Sequence, residues 1–437
     1  YRPISLLNCF DKIFEKLINS QLKAYLKKYN LLYEYQYAFR EGLSTELALL
    51  DFNDYVIKEI DKGNFVLTLF IDLKKAFDTV NHFILCKKLE YYGVRGHSNA
   101  FFQNYLSNRK QYVACNGVTS KIDNIDCGVP QGSVLGPTLF LLYVNDMIKC
   151  IVNSKLQLFA DDTITSISGK NLIEMFELMK QDLSNLITWF SANKLSLHFD
   201  KTGYTIFHSY KKQIPSGFDT IDIDGEIIKR KKSVKYLGLT FDEVLSWTHH
   251  IELLIKRLGM YFSYFYQLRK VIPHKFKMQL FHAYVYSKVV YGLRCYGVAR
   301  KKSIKLVQTV CNKLLKILQI KVRTYPTNKL FKENKILKLC DMKNFIATKF
   351  VHKSIYSNCN TPNQLKSYFI LNTSVHEKDV RDKLQVRPPR FNRVFGTTSV
   401  QSYGGEFWNK IDLKIRSEPD LGLFKNKLKA SVLETYK

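Results

Sequence analysis

The stretch Phe65-Val66-Leu67-Thr68-Leu69-Phe70-Ile71 is an almost unbroken apolar run, bounded on its amino side by Gly63-Asn64 and ending on Asp72. Seven residues is too short for a core helix and has the length of a strand buried on both faces, so the chain must build a packed sheet around it. A carboxylate then sits at the edge of that sheet, where a metal or ligand can meet it. A second acidic edge comes from Phe159-Ala160-Asp161-Asp162. The alternating Leu156-Gln157-Leu158-Phe159 and Thr163-Ile164-Thr165-Ser166-Ile167 read as two half-buried strands, with a tight turn that pushes both carboxylates out of the sheet. Neighbouring carboxylates each raise the cost of ionising the other, a cost that solvent or an intervening cation relieves. A polar hairpin turn with no ligand is the plainer alternative, because Asp favours turns for local hydrogen-bonding reasons.

If these strands are neighbours, Asp72, Asp161 and Asp162 converge at one sheet edge. Such an all-oxygen set suits Mg²⁺ and leaves positions open for phosphate oxygens. Two ions in that arrangement can activate a hydroxyl and stabilise a leaving pyrophosphate. No Ser/His pairing suggests covalent catalysis.

The 437 residues suffice for two or three domains, and 46% hydrophobic content is ample for cores. Lys and Arg total 67 against 38 Asp and Glu, leaving +29, so the expected partner is a polyanion. With 27 Tyr, the aromatic content suits nucleic-acid surfaces as well as cores. The nine cysteines form no C-x-x-C pair and no zinc-spaced Cys/His cluster, which predicts reduced thiols in an intracellular compartment. No apolar run approaches membrane-spanning length, so no membrane partner is expected.

Helical periodicity covers Asp11 to Tyr29, Thr45 to Ile60, Asn81 to Tyr92, Ser98 to Leu106 and Leu172 to Asn193. Gln111 to Cys115 and Ile122 to Cys127 read as a hairpin pair around Asn116-Gly117. The Gly/Pro-rich Gly128-Val129-Pro130-Gln131-Gly132-Ser133 opens an apolar helix from Pro137 to Ile148, and such a loop can bring backbone N–H groups to a ligand. Asp146 on that helix reads as structural. Leu195 to Leu197 and Tyr204 to Phe207 look like strands flanking Asp200-Lys201-Thr202, and Val234 to Phe241 like another, broken at Gly238. From Trp247 the chain turns helical and basic, with helices at His250 to Lys270, Lys275 to Val290 and Ser303 to Ile320; a last one falls near Leu421 to Leu433. Soft boundaries lie near Thr45, Thr240 and Ser357.

Taken in order, Phe70-Ile-Asp-Leu-Lys-Lys-Ala-Phe-Asp78, Gly128-Val-Pro-Gln-Gly-Ser-Val-Leu-Gly-Pro137 and Phe159-Ala-Asp-Asp162 resemble the motifs of reverse transcriptases. In detail the chain resembles those of non-LTR (LINE-type) retrotransposons, of the jockey-like and chicken-repeat-like sort. Tyr1-Arg2-Pro3-Ile4-Ser5-Leu6, Tyr35-Gln36-Tyr37-Ala38-Phe39-Arg40, Val234-Lys235-Tyr236-Leu237-Gly238, Tyr291-Gly292 and Tyr403-Gly-Gly-Glu-Phe-Trp-Asn409 carry the same resemblance.

The resemblance implies an α+β right-hand polymerase with fingers, a split βαβ palm, a helical thumb and a basic helical carboxy-terminal extension. Fingers and palm would span 1–242, thumb and connection 243–356, and the basic carboxy-terminal segment 357–437. It implies an RNA-directed DNA polymerase with an RNA template, a DNA primer and dNTPs. Asp72, Asp161 and Asp162 would hold two Mg²⁺ ions (Mn²⁺ as a substitute), with Asp162 the least direct ligand. Phe77 would crowd a ribose 2′-hydroxyl, and a core aromatic is the alternative there. Arg40 would meet the triphosphate, and Gln131 with Gly132 would pack against template and nucleotide. Lys201 would protonate the leaving pyrophosphate, a surface lysine being the alternative. Tyr236, Leu237 and Gly238 would form the primer-grip hairpin.

The family's upstream endonuclease is not expected on this chain, which reads as a fragment. Nuclear action and cytoplasmic assembly with the element's RNA follow from the same resemblance. Ala38, Leu43, His198 and Tyr296 depart from the family pattern, so a catalytically decayed remnant acting as an RNA-binding protein is the alternative. A group II intron maturase would carry a maturation domain after the thumb, for which no signature is found.

Overall fold

The computed structural model describes residues 4–223, 225–356, 368–372, 382–387 and 389–436. Tyr1-Arg2-Pro3 of the opening motif and the boundary expected at Ser357 lie outside them. The chain packs into two compact units. The first comprises Tyr1–Thr45, Phe65–Ile206 and Gln213–Lys231; the second comprises Glu46–Asn64, Phe207–Lys212 and Lys232–Lys437.

The first unit is built on a four-stranded sheet. Strand β1 spans Phe65–Ile71, β2 Lys155–Phe159, β3 Asp162–Gly169 and β4 Gly203–Phe207, in the order β2-β3-β1-β4. Every residue of β1 is buried, as its unbroken apolar run predicts. Burying a side chain such as Leu67 or Leu69, both at 0% exposure, is worth about 1.5–3 kcal/mol. The one polar residue of the run, Thr68, is satisfied by the hydroxyl of Ser166 across the ladder at 2.9 Å. The helix Leu172–Ala192 lays Met175, Phe176, Met179, Leu183 and Leu186 into the same core. Asn171 caps it by accepting the Ile173 N–H.

Three expectations change in detail. The hairpin after Leu106 is two nested ladders: Arg109–Gln111 pairs with Asp123–Ile125, and inside it Ala114–Cys115 pairs with Val118–Thr119 across Asn116-Gly117. The apolar helix runs Gly136–Val144 and tightens into a 3-10 turn over Asn145–Cys150, where Asp146 accepts the Lys88 ammonium at 2.6 Å, a structural pairing. Leu195 to Leu197 makes only a single bridge, Leu73 to Leu197, rather than a strand.

In the second unit, Val234 to Phe241 is not one broken strand. Strand β5 (Ser233–Tyr236) and strand β6 (Leu239–Asp242) form an antiparallel hairpin that reverses at Leu237-Gly238. Both turn residues have positive φ, +42° and +84°, the condition for a tight two-residue reversal matching strand twist. Helices follow at Thr248–Gly259, Tyr261–Leu268, Lys301–Leu318, Leu339–Tyr356, Val400–Asn409 and Leu421–Glu434.

The helix Thr45–Asp61 packs in this unit from Glu46 onward. Its Asp61 carboxylate accepts the backbone N–H groups of Asn392, Arg393 and Gly396 at 2.7, 2.9 and 3.2 Å, docking the carboxy-terminal chain on it. The Tyr403–Asn409 motif has a packing role: Tyr403 donates to the Arg294 carbonyl, Trp408 to that of Leu384, and Asn409 pairs with the Val386 backbone in both directions. Among the described residues the cysteines are free thiols, and no helix is long and apolar enough to cross a membrane.

Candidate active site

Strand register decides where the carboxylates meet. Ile71 lies opposite Thr163 on β3, and Thr163 lies opposite Leu158 on β2. One further step off β1 is Asp72, and one step back along β3 is Asp162, which pairs with Phe159. Ala160 and Asp161 form the two-residue turn between β2 and β3. All three aspartates therefore stand at the same end of the sheet. Asp72 and Asp161 are half-buried and Asp162 is exposed.

The turn is strained in a specific way. Ala160 has φ +55°, a left-handed conformation that costs a residue with a Cβ about 1–2 kcal/mol. Its N–H is held at 3.2 Å by the Oε1 of Gln36, which also accepts the Ala38 N–H at 3.0 Å. Gln36 is only 1% exposed and belongs to a segment laid along the free edge of β2. Tyr35 O accepts the Leu158 N–H at 3.0 Å, and the Tyr37 N–H returns to Leu158 O at 2.9 Å. Among the described residues, the Nε2 of Gln36 has no hydrogen-bond partner. The motif containing Gln36 is visible in the sequence, but its clamp on the acidic turn is not, because the contact spans more than a hundred residues.

Behind Asp72 runs the segment 196–202. Ser196 O accepts the Lys74 N–H, His198 donates to Asp72 O, and Asp72 N–H reaches Thr202 Oγ1 at 3.4 Å. This brings Lys201 Nζ to 3.5 Å from Asp72 Oδ2, the lysine side chain being exposed and the aspartate half-buried. A second lysine, absent from the sequence reading, supports the segment from beneath. Lys231 Nζ donates to Lys201 O at 2.6 Å and to Thr202 O at 3.4 Å. Its stem crosses Gly203, where an added Cβ would lie 2.5 Å from Lys231 Cε. Burial pulls the Lys231 pKa down, and the nearby Asp72 charge partly opposes this.

The loop 128–133 is tied to the segment after β1. Gln131 Nε2 donates to Asp78 Oδ1 at 2.7 Å, and the Gly128 N–H donates to Val80 O. Gly128 has φ +87° and approaches the Asp78 backbone so closely that a Cβ would lie 2.8 Å from its carbonyl oxygen. Gly132 has φ +106° beside Ser5, whose N–H donates to Gln131 O. Phe77 is half-buried, stacked on Phe140 at 4.2 Å between centroids and edge-on to Phe39 at 6.4 Å. Arg40 spends its Nη1 on the carbonyls of Tyr33, Glu34 and Gln36, and burial lowers its pKa while Glu34 and Tyr37 oppose the shift.

The hairpin of Tyr236, Leu237 and Gly238 belongs to the second unit, where the Tyr291 hydroxyl donates to Leu237 O at 2.5 Å and the Tyr291 ring packs against Gly238.

The donor chemistry at the sheet edge is that of a hard divalent cation: carboxylate oxygens with neither thiolate nor imidazole among the three. Among the described residues no three His, Cys, Asp or Glu side chains already close into a metal cluster. Asp72, Asp161 and Asp162 thus share one end of the sheet without closing into such a cluster. The first unit carries Asp72, Asp161 and Asp162 at one end of its sheet with Lys201 beside Asp72, and elsewhere holds Gln131 on Asp78 and Phe77 on Phe140.

Residues 1–241 match the family model "Reverse transcriptase (RNA-dependent DNA polymerase)", and the chain belongs to that family. It is 26% identical over 331 residues to a Drosophila melanogaster protein named as the probable RNA-directed DNA polymerase of transposon X-element, covering 73% of this chain and 35% of that protein. The RNA-directed DNA polymerase of mobile element jockey from the same species is 24% identical over 366 residues, covering 81% and 39%. These relatives are polymerases of non-LTR retrotransposons, and the chain spans little more than a third of their length. Among solved structures, apo telomerase of Candida tropicalis is similar with TM-score 0.41 and 11% identity, covering 75% of this chain and 54% of that one.

Proposed function

We propose that the chain extends a DNA primer on an RNA template, using dNTPs and Mg²⁺ in a two-metal nucleotidyl transfer that serves retrotransposition. The observation that carries this reading is the register that sets Asp72, Asp161 and Asp162 at one end of the buried sheet. In it, Asp72 and Asp161 hold the ions and Asp162 contributes least directly. When bound, the ions supply charge neutralisation at the attacking and leaving oxygens.

Lys201 is carried beside Asp72 by a segment anchored at two backbone bonds and one through the Thr202 hydroxyl, so its ammonium is available to donate a proton to the leaving pyrophosphate. Phe77, backed by Phe140, forms a rigid shelf against which a ribose 2′-hydroxyl would clash, favouring dNTPs. Gln131, oriented by Asp78, and Gly132 line the nucleotide side, with the rest of the Arg40 guanidinium toward the triphosphate. Tyr236, Leu237 and Gly238 grip the primer. The division into fingers and palm, thumb and carboxy-terminal segment, and nuclear action after cytoplasmic assembly with element RNA, belong to the same reading.

The test is primer extension on an RNA template with Mg²⁺. Wild type should extend, and Asp161→Asn should lose extension while keeping affinity for primer–template. Extension retained by Asp161→Asn would refute the metal assignment. No extension by either, with binding intact, would refute the polymerase reading.

A further inference from the structure

In the second unit, the helix Leu421–Glu434 helps enclose a cavity of about 240 Å³. Its floor is apolar and aromatic, made by Tyr286, Met342 and Phe345. Its rim is cationic: Lys335, Lys425, Lys429 and His282. No Asp or Glu lines it, and among the described residues none of the three lysines has an ion-pair partner.

That is an unfinished electrostatic arrangement. Lys425 and Lys429 are half-buried, so each has lost part of its hydration without gaining a carboxylate. Burial first, and then the charge of Lys335, push the Lys429 pKa down; burial and Lys429 do the same to His282. Lys425 in turn repels Lys349, extending the positive field along the unit. An anion between the lysines would reverse all of these costs at once.

The backbone at the floor is also specialised. His282–Tyr286 forms a π-helical turn, a widened geometry that recurs at functional sites. It sets the His282 and Tyr286 rings edge to face, 5.1 Å apart, in the cavity lining. An aromatic floor under a cationic rim is the combination that binds single-stranded nucleic acid, with a base stacked below and phosphates held above.

We propose that this cavity takes one nucleotide of single-stranded RNA, its base against Tyr286 and Phe345 and its flanking phosphates on Lys335, Lys425 and Lys429. The choice of RNA rests on the polymerase reading, in which the template is the strand that is single-stranded ahead of copying.

The test uses the full chain and a single-stranded RNA of about 20 nucleotides, with affinity followed by fluorescence anisotropy from 50 to 200 mM salt. Converting the three lysines together to Gln should weaken binding roughly tenfold or more at low salt. It should also reduce the slope of log K against log salt by about 2, at about 0.7 per phosphate contact. Affinity for an RNA–DNA duplex should stay unchanged. A 4-thiouridine RNA photocrosslinked to wild type should map to the peptide containing Tyr286 or Phe345, a readout that needs no variant.

An unchanged salt slope, or an equal loss on the duplex, would overturn the proposal. Primer extension by wild type, read in parallel, separates the two readings: its absence sinks the polymerase reading, whereas the slope and crosslink decide the cavity.

Discussion

Substituting Gln36 by Leu tests whether the acidic turn is held by its buried carboxamide. The replacement is similar in size but removes the oxygen that accepts the Ala38 and Ala160 N–H groups. Leaving two buried donors unmet costs about 2–6 kcal/mol, at about 1–3 each. The same change removes the unpartnered Nε2, recovering about 1–3 kcal/mol. The net loss should fall near 1–3 kcal/mol, a drop in melting temperature of about 2–12 °C for a unit of this size. Function should suffer more than stability. Ala160 holds its left-handed φ with its N–H clamped and its side chain in the core, and release lets the turn relax, carrying Asp161 with it. A displacement of about 1 Å in a reacting group costs about 10²-fold in rate. The assays are calorimetric melting and primer-extension kinetics with a Mg²⁺ titration. kcat should fall by about that factor and the Mg²⁺ requirement should rise, with little change in primer–template affinity. Gln36→Glu, which keeps an acceptor oxygen for both N–H groups, should recover activity beyond the Leu variant. A Leu variant with a lower melting temperature but unaltered kcat would refute the clamp as a positioning device.

Two further predictions follow. Gly203→Ala places a methyl where the Lys231 stem runs; the flexible end can swing aside, so stability should drop by less than about 2 kcal/mol. The displaced ammonium leaves the Lys201 and Thr202 carbonyls, so kcat should fall, and Lys231→Met should reproduce that fall; a silent Lys231→Met would sink the idea. In the second unit, burial raises the Asp54 pKa to about 7, against the opposing charge of Lys58. Burial, then Arg257 and His249, lower that of His250 to about 4. The folded state therefore favours the protonated acid, so Asp54 makes stability fall from about pH 4 to 7, by up to about 4 kcal/mol. It favours the neutral imidazole, so His250 makes stability rise over about pH 4 to 6.5, by about 3 kcal/mol. The two slopes oppose, and denaturant unfolding of the wild type should be nearly flat with pH. Asp54→Asn should uncover a rise and His250→Gln a fall; parallel flat profiles in all three would contradict both assignments.

How much of this molecule could be read from its residues follows from where the information sits. The strand Phe65–Ile71 was legible because a seven-residue apolar run has few places to go, and its end at Asp72 came with it. The acidic hairpin was legible because alternation on either side of two aspartates fixes both the pleat and the turn. Where a local pattern admits two geometries, reading fails: Val234 to Phe241 looks like a strand interrupted by glycine, yet Leu237 and Gly238 both take positive φ and reverse it. The tail was opaque for a different reason. Its partners, such as Asp61 holding the backbone at Asn392, Arg393 and Gly396, are more than three hundred residues away. Separation in sequence, though shorter, also hides the supports of the site. Gln36, Lys231 and Asp78 carry no chemistry of their own; each acts by holding the backbone or side chain of another residue. Local pattern thus reveals the groups that face a ligand, since those must be polar at exposed strand ends, while the groups that aim them are recognisable only once register has brought distant segments together.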